Sequence, residues 1–232
     1  MILDSLQVAA ISLYAMTTNS LVTFFGDAPD EKFATQVEIV ETGVRENSGI
    51  EQVGGDLMSV DDGGILYKND QAVLEIDADL EGIAFCGENY YLIKERADEI
   101  AIYNQDFHVM GAINFAKKIP RAKDMKNAEI EGIACANRGS LYLSGLGETI
   151  WQVDRHGEVV AKIKTSHTKI AALDTEIDSP FLYALSDNND MIIIIDKRNA
   201  EVVQEIPTPG PGQWEALDVH DGVIRIAKDD ET

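Results

Sequence analysis

The chain has 232 residues, which suits one large domain or two small ones, and 45% of them are hydrophobic, so a substantial core is expected. Its 41 acidic and 19 basic residues give a formal net charge of −22. This negative charge argues against binding to nucleic acid or anionic lipid and favours binding to cations, basic proteins or metal ions. The alternative is that the charge serves solubility alone. No apolar run approaches the roughly 20 residues of a membrane span, and the first 20 residues lack the basic start of a signal peptide.

The N-terminal part of the chain carries few structural signals. Residues 3–15 could form a helix or a strand, and we treat residues 1–15 as a separate N-terminal segment. Residues 20–26 (SLVTFFG) and 33–41 (FATQVEIVE) are rich in β-branched and aromatic residues, which is typical of strands.

From residue 48 onward the chain repeats itself. Similar segments open with a small or acidic residue, then Gly or Ala, then Ile or Leu, and their starts are 33, 50, 40 and 44 residues apart. A period of about 40–50 residues is typical of a β-propeller, in which each blade carries four strands. The segments start at Ser48, Glu81, Glu131, Ala171 and Glu215.

Each repeat contains the same series of strand signals. In the segment from Glu81, the first strand precedes YYLI, and IAIYN and VMGAI follow. In the segment from Glu131 the later strands are LYLS, TIWQVD and VVAKI, and in that from Ala171 they are LYALS, MIIIID and VVQEI. Asn, Asp and Gly separate the strands and suit the backbone conformations of tight hairpins.

The last repeat holds two strands before the chain stops. The two N-terminal strands, residues 20–26 and 33–41, can supply the other two, and this closure removes exposed sheet edges. The sequence therefore predicts an all-β protein, a single β-propeller domain over residues 1–232. It has five four-stranded blades with a composite N/C-terminal closing blade, and six blades are the alternative if residues 3–15 add strands.

The ordered series of motifs resembles the SdiA-regulated family of β-propellers, which is distantly related to phytase-like propellers. The motifs are ENSGIEQVGGDLMSVDDGG from residue 46, DLEGIAFCGENYYLIKER from residue 79, NAEIEGIACANRGSLYLSG from residue 127 and GQWEALDVHDGVIRIAKDD from residue 212. The resemblance covers about residues 38–230. It implies a propeller without a settled activity, in a family of mostly envelope-associated or secreted proteins.

In a propeller, the first strands line a central channel, so equivalent acids of different blades converge at its mouth. Clustered carboxylates repel one another and must protonate or bind a cation, and oxygen-only ligands suit Ca²⁺. The alternative is that each Glu accepts backbone N–H bonds from the neighbouring blade. The first strands contribute Glu81, Glu131 and Glu215 to the predicted metal site, and the ends of second strands contribute Glu95, Asp61, Asp62, Asp187 and Asp229.

Three further features complete the sequence predictions. Counted from the two Glu-Gly-Ile starts, Cys86 and Cys135 have opposite parity, which predicts that their side chains lie on opposite faces and are two buried free thiols rather than a disulfide.

Residues 206–214 (IPTPGPGQW) predict a stiff connection between blades. The single basic cluster predicts a solvated loop, or a docking loop for an acidic partner or phosphate, and it comprises Lys117, Lys118, Arg121, Lys123 and Lys126.

No Cys/His cluster, nucleophile elbow or phosphate-binding loop occurs in the sequence. The leading hypothesis is therefore a non-enzymatic binding or scaffold propeller that binds a protein or small ligand on its loop face, with Ca²⁺ as its one candidate cofactor. The alternatives are a metal-dependent phytase-like phosphoester hydrolase, and a structural subunit of a virion or envelope complex. The chain is expected to be soluble, with export or virion association implied by the resemblance only.

Overall fold

The computed structural model describes residues 43–94, 99–115, 119, 130–176 and 178–229. Within these ranges the regular structure is eighteen β-strands and one short 3-10 helix, Asn137–Gly139. All pairs of hydrogen-bonded strands are antiparallel, and consecutive strands pair with one another. This meander arrangement within each sheet is the one that the alternation of strand and turn signals predicts.

Four of the sheets have four strands each. The first contains β1 (Asn47–Val53), β2 (Asp56–Asp61), β3 (Ile65–Lys68) and β4 (Gln71–Glu75), and the second contains β5 (Leu80–Cys86), β6 (Asn89–Lys94), β7 (Glu99–Asn104) and β8 (Val109–Asn114). The third contains β9 (Ile130–Cys135), β10 (Leu141–Gly145), β11 (Thr149–Val153) and β12 (Val159–Lys164). The fourth contains β13 (Ile170–Asp174), β14 (Phe181–Ser186), β15 (Met191–Asp196) and β16 (Glu201–Pro207).

A fifth sheet has two described strands, β17 (Trp214–His220) and β18 (Val223–Lys228). The first strands of the five sheets pack side by side in the order β1, β5, β9, β13, β17, and β17 also packs against β1. The sheets therefore surround a common axis, and the protein is an all-β β-propeller with four complete blades and the two-stranded sheet between the fourth and the first. The predicted N-terminal strands and the segment at residues 1–15 lie outside the described residues.

The core lies in layers between neighbouring blades rather than at one centre. Ile83 packs toward the first blade, whereas the adjacent Ala84 packs toward the third. The third blade repeats this alternation, with Ile133 toward the second blade and Ala134 toward the fourth. The inner and middle strands of these sheets therefore bury apolar residues on both faces, whereas the outermost strands, such as β12 and β16, are largely exposed.

The prediction that Cys86 and Cys135 are free thiols is wrong, because the two residues form a disulfide with Cα atoms 5.7 Å apart. Cys86 and Cys135 do have opposite parity on their strands, but this brings the two side chains together rather than keeping them apart. Two neighbouring blades face each other through opposite faces of equivalent sheets, so opposite parity is what allows the side chains to meet. Cys86 shares the face of Ala84, and Cys135 shares the face of Ile133, and both faces enter the same interblade layer.

The proline-rich residues 206–214 connect β16 to β17, as predicted. Pro207 is the last residue of β16, and the backbone N–H of Thr208 donates to the carbonyl of Asp190. The indole N–H of Trp214 donates to the carbonyl of Gly210 at 2.9 Å, which folds the segment back on itself. This connection places the start of β17 beside the fourth blade.

The glycine of the Glu-Gly-Ile motif has a packing role. A Cβ atom added to Gly82 would lie 2.6 Å from the carbonyl oxygen of Glu131 on the next blade, and one added to Gly49 would lie 3.0 Å from the Cα of Gly82. Adjacent inner strands therefore approach each other through backbone atoms at this level. The equivalent residues in the last two sheets, Ala172 and Ala216, are also small and buried.

We expect Gly82→Ala to lower the free energy of unfolding by about 1–3 kcal/mol, because the new methyl group must push β5 and β9 apart. The measurement is a urea unfolding curve. Gly55→Ala is the matched control, since a Cβ there meets nothing within 4 Å. Equal stability of the two variants would contradict the close approach of the inner strands.

Candidate functional site

A polar pocket of about 330 Å³ opens where the inner strands begin. Glu81, Glu131 and Glu215 enter it from β5, β9 and β17, at the second residue of each strand. Asp62 follows β2 and Asp229 follows β18, which brings both to the same end of the channel. The remaining lining residues are Leu146, Lys169, Ala171 and Gln213.

The structure thus brings five of the eight predicted metal-site residues around one pocket. Asp187 lies at its edge, where its carboxylate contacts Lys169 and accepts the backbone N–H of Trp214 at 3.1 Å. Asp61 is used differently, because it accepts bonds from the N–H of Ile65 at 2.8 Å and the hydroxyl of Tyr67 at 2.7 Å inside its own blade. Glu95 and the basic cluster Lys117, Lys118, Arg121, Lys123 and Lys126 lie outside the described residues.

Lys169 also lines this pocket, although it is not among the residues predicted from the sequence. It directly precedes β13, and its backbone has a positive φ of 47°, a conformation that non-glycine residues seldom adopt. Its Nζ lies 2.8 Å from Asp187 Oδ2 and 3.2 Å from Glu215 Oε1. The lysine therefore supplies a built-in positive charge at the place where the sequence predicted a bound cation.

The charges in this pocket depend on one another. Burial works against the charge of Lys169, but the bond to Asp187 and the charges of Glu215 and Glu131 outweigh it and raise the pKa of Lys169 above its ordinary value. Burial raises the pKa of Glu215, and Lys169 offsets only part of that effect. The pocket is thus a strongly acidic site with one internal counter-ion.

The spacing of these acids bears on metal binding. Among the residues that the structure describes, no group of three or more His, Cys, Asp or Glu side chains is arranged to hold a metal ion. The carboxylates therefore line the pocket without forming a ready coordination sphere.

A second pocket of about 330 Å³ lies where the inner strands end, and four acids line it, none of them among the predicted metal-site residues. Three of the four, Glu51, Asp174 and Asp218, occupy equivalent positions of β1, β13 and β17, and the fourth is Glu176. Burial and the charges of Asp174 and Asp218 raise the pKa of Glu51 well above its ordinary value, and burial and the charge of Asp218 do the same for the pKa of Asp174.

Each of these three acids bonds to the backbone of the next sheet. Asp174 accepts the N–H of Val219, and Asp218 accepts the N–H of Gln52 at 2.6 Å. Glu51 accepts the N–H of Phe85. The sequence allows interblade bonds of this type for Glu81, Glu131 and Glu215, and the structure shows them at residues three positions further along the inner strands.

The signal for these bonds was present in the sequence. Ala-Leu-Asp occurs at residues 172–174 and again at 216–218, and both copies fall at the same point of their repeats. Asp218 also pairs with Arg225 of the adjacent strand at 2.6 Å, which partly balances its charge.

Comparison with known proteins supports the β-propeller fold and assigns neither a family nor an activity. No protein-family model matches the chain, and no curated protein matches it. Among solved structures, the glutaminyl cyclase of Myxococcus xanthus aligns with a TM-score of 0.63 and 15% identity, covering 79% of this chain and 86% of that one. A streptogramin B lyase structure aligns with a TM-score of 0.53 and 13% identity, covering 90% and 66%.

The WD40 propeller domain of Doa1 aligns with a TM-score of 0.52 and 14% identity, covering 78% of this chain and 63% of that one. At such identities these likenesses place the chain in the class of β-propellers and transfer no activity to it. None of them names the SdiA-regulated family, so that resemblance stays a prediction. No helix in the described part of the chain has the length and apolar character needed to cross a membrane.

We expect Lys169→Met to lower the free energy of unfolding by about 1.5–3 kcal/mol at pH 8, because Asp187 and Glu215 lose a charged hydrogen-bond partner. The loss should be smaller at pH 5. Removal of Lys169 raises the pKa of Glu215 further, and a carboxyl group with a raised folded-state pKa destabilises the fold as the pH rises through that pKa.

The measurement is urea unfolding of the variant and the wild type at both pH values. Lys162→Met, on the exposed face of β12, is the matched control and should change stability by less than about 0.5 kcal/mol. A Lys169→Met variant as stable as this control at pH 8 would contradict the role of Lys169.

Proposed function

We propose that this chain is a non-enzymatic binding propeller whose acidic pocket receives a positively charged group of a protein partner. The observation that carries the proposal is the pocket at the start of the inner strands, where five carboxylates from four sheets surround about 330 Å³. The β-propeller fold of the chain is consistent with a binding role of this type.

The charge of the pocket supports a cationic ligand. Its described lining has five acids and one lysine, so its formal charge is −4 with all groups ionised. A Lys or Arg side chain, or a terminal amine, can offer several N–H donors to such a lining and lowers the repulsion among the carboxylates. Loops at the end of a propeller commonly carry binding sites, which fits the position of the pocket.

A divalent cation is the second candidate ligand. Oxygen donors suit Ca²⁺, whose irregular coordination tolerates uneven spacing, and five carboxylates converge at this place. Binding would require the side chains to move together, since the described acids are not arranged as a metal site.

The same lining weakens the phosphoester hydrolase hypothesis. A phosphate would meet five carboxylates, and Lys169 already contacts Asp187 and Glu215. The structural-subunit hypothesis and a docking role for the basic cluster stay predictions from the sequence. Light scattering that shows a monomer at all concentrations would leave only hetero-assembly for the former.

For the ligand, we expect a short lysine- and arginine-rich peptide to bind with an affinity that falls steeply with salt, because the attraction is electrostatic. Glu81→Gln combined with Glu131→Gln should weaken binding at least tenfold. Glu75→Gln, an exposed charge on the outer strand β4, is the matched control and should leave it unchanged. Fluorescence anisotropy of the labelled peptide measures both effects.

Two outcomes of that experiment decide between the ligands. Equal weakening by the pocket variant and the control would show binding to the general surface charge and contradict the pocket. A thermal midpoint that rises with Ca²⁺ and falls with chelator in the wild type, and not in the pocket variant, would favour the divalent cation.

We further propose that the N-terminal residues complete the fifth blade, which makes the domain a five-bladed propeller. Two observations support this closure. The β17–β18 sheet has two described strands where each other blade has four, and residues 20–26 and 33–41 have the composition of strands.

Deletion of residues 1–42 should therefore lower the thermal midpoint and cause concentration-dependent association, because β18 would become an exposed sheet edge. Differential scanning calorimetry and light scattering measure the two effects. Deletion of residues 1–15 is the matched control and should preserve both properties; an unchanged midpoint after the longer deletion would contradict the composite blade.

A further inference from the structure

The end of the channel opposite the acidic pocket contains a series of interblade links. At one equivalent position of the inner strands the residues are Glu51, Ala84, Ala134, Asp174 and Asp218. Where this residue is acidic, its carboxylate accepts the backbone N–H of the next sheet, and this occurs from β13 to β17, from β17 to β1 and from β1 to β5. We call each such bond a carboxylate clasp.

The two alanine positions cannot form this clasp, because a methyl group accepts no hydrogen bond. Between β5 and β9, where Ala84 stands, the Cys86–Cys135 disulfide joins the two strands instead. Cys135 occupies the position equivalent to Phe85, Val219 and Gln52, the residues whose N–H groups are clasped elsewhere. The disulfide therefore takes the place of a clasp between the second and third blades.

Among the described residues, the interface between the third and fourth blades has neither a carboxylate clasp nor a disulfide. Ala134 faces the fourth blade within an apolar layer that includes Leu173 and Leu182. At this end of the channel, the described residues thus join the third blade covalently to the second and through apolar packing to the fourth.

We propose that the Cys86–Cys135 disulfide is a redox-controlled clasp, whose reduction leaves apolar packing as the contact of the third blade with both neighbours at this end of the channel. A small dithiol is a suitable reductant. It gives up two electrons and two protons, the S–S bond breaks to form two thiols, and the dithiol closes into its own disulfide. The second pocket gives access to the bond, since Cys135 lines it.

The expected opening is local because the other three clasps do not depend on the cysteines. After reduction, the second and third blades keep the apolar layer that contains Ala84 and Ile133. The fourth, fifth and first sheets stay connected through Asp174, Asp218 and Glu51. The third blade therefore becomes the part of the ring with the lowest local stability.

Hydrogen exchange measured by mass spectrometry tests the proposal on the full chain. With the folded protein at pH 7, we compare peptides covering residues 130–145 and residues 181–196, before and after addition of dithiothreitol. A mass gain of two hydrogens confirms reduction. The expected result is exchange at least tenfold faster in residues 130–145 and less than twofold faster in residues 181–196.

A uniform acceleration over both peptides would overturn the proposal, because it would mean that the bond stabilises the whole fold rather than one blade. Unchanged exchange in residues 130–145 after confirmed reduction would also overturn it. The Cys86→Ala/Cys135→Ala variant should match the reduced protein and should not respond to dithiothreitol, which separates loss of the bond from other effects of the reductant.

Restoring a clasp by a different chemistry provides the second measurement. Ala84→Asp, added to the Cys86→Ala/Cys135→Ala variant, places a carboxylate at the position of Asp174 and Asp218, within reach of the N–H of residue 135. Exchange in residues 130–145 should return to within about threefold of the oxidised wild type. Exchange that stays as fast as in the double variant would overturn the equivalence of disulfide and carboxylate clasp.

Discussion

The inner strands of neighbouring blades approach each other closely, and this approach positions the residues at both ends of the channel. At Gly49 and Gly82 there is no room for a side chain toward the neighbouring sheet, so backbone meets backbone around the axis. This approach sets the width of the channel. It also brings the residues on either side of these positions, such as Glu81 and Glu131, to a common mouth.

Acidic residues lie at both ends of this narrow channel, and different groups stabilise their charge at the two ends. At the end where the strands begin, Lys169 neutralises part of the charge and leaves an open acidic pocket. At the other end, the acids are buried more deeply and accept backbone N–H groups of the next sheet. Burial of carboxylates is costly unless such bonds are made, so the same residue type lines an open pocket at one end and has a structural role at the other.

The links between neighbouring blades explain why the third blade differs from the others in a ring of similar sheets. Apolar layers lie between neighbouring blades, and the described layer between the fifth sheet and the first is the smallest. The polar and covalent links vary from interface to interface, because a single residue position is acidic in three sheets and alanine in two, and because a disulfide joins the second and third blades. The third blade differs from the others through this disulfide and through the alanines at its two interfaces, although its strands have ordinary lengths and pairing.

The sequence predicts the strands from residue 47 onward, their meander order and the convergence of Glu81, Glu131 and Glu215. These follow from local alternation and from a repeat period, both of which are properties of consecutive residues. The folded structure was needed to show that opposite parity brings Cys86 and Cys135 together, that Lys169 reaches Asp187 and Glu215, and that Asp174 bonds to the next sheet. Each of these depends on which faces of two separate sheets meet, and that relation is set by closure of the ring rather than by any one segment of the chain.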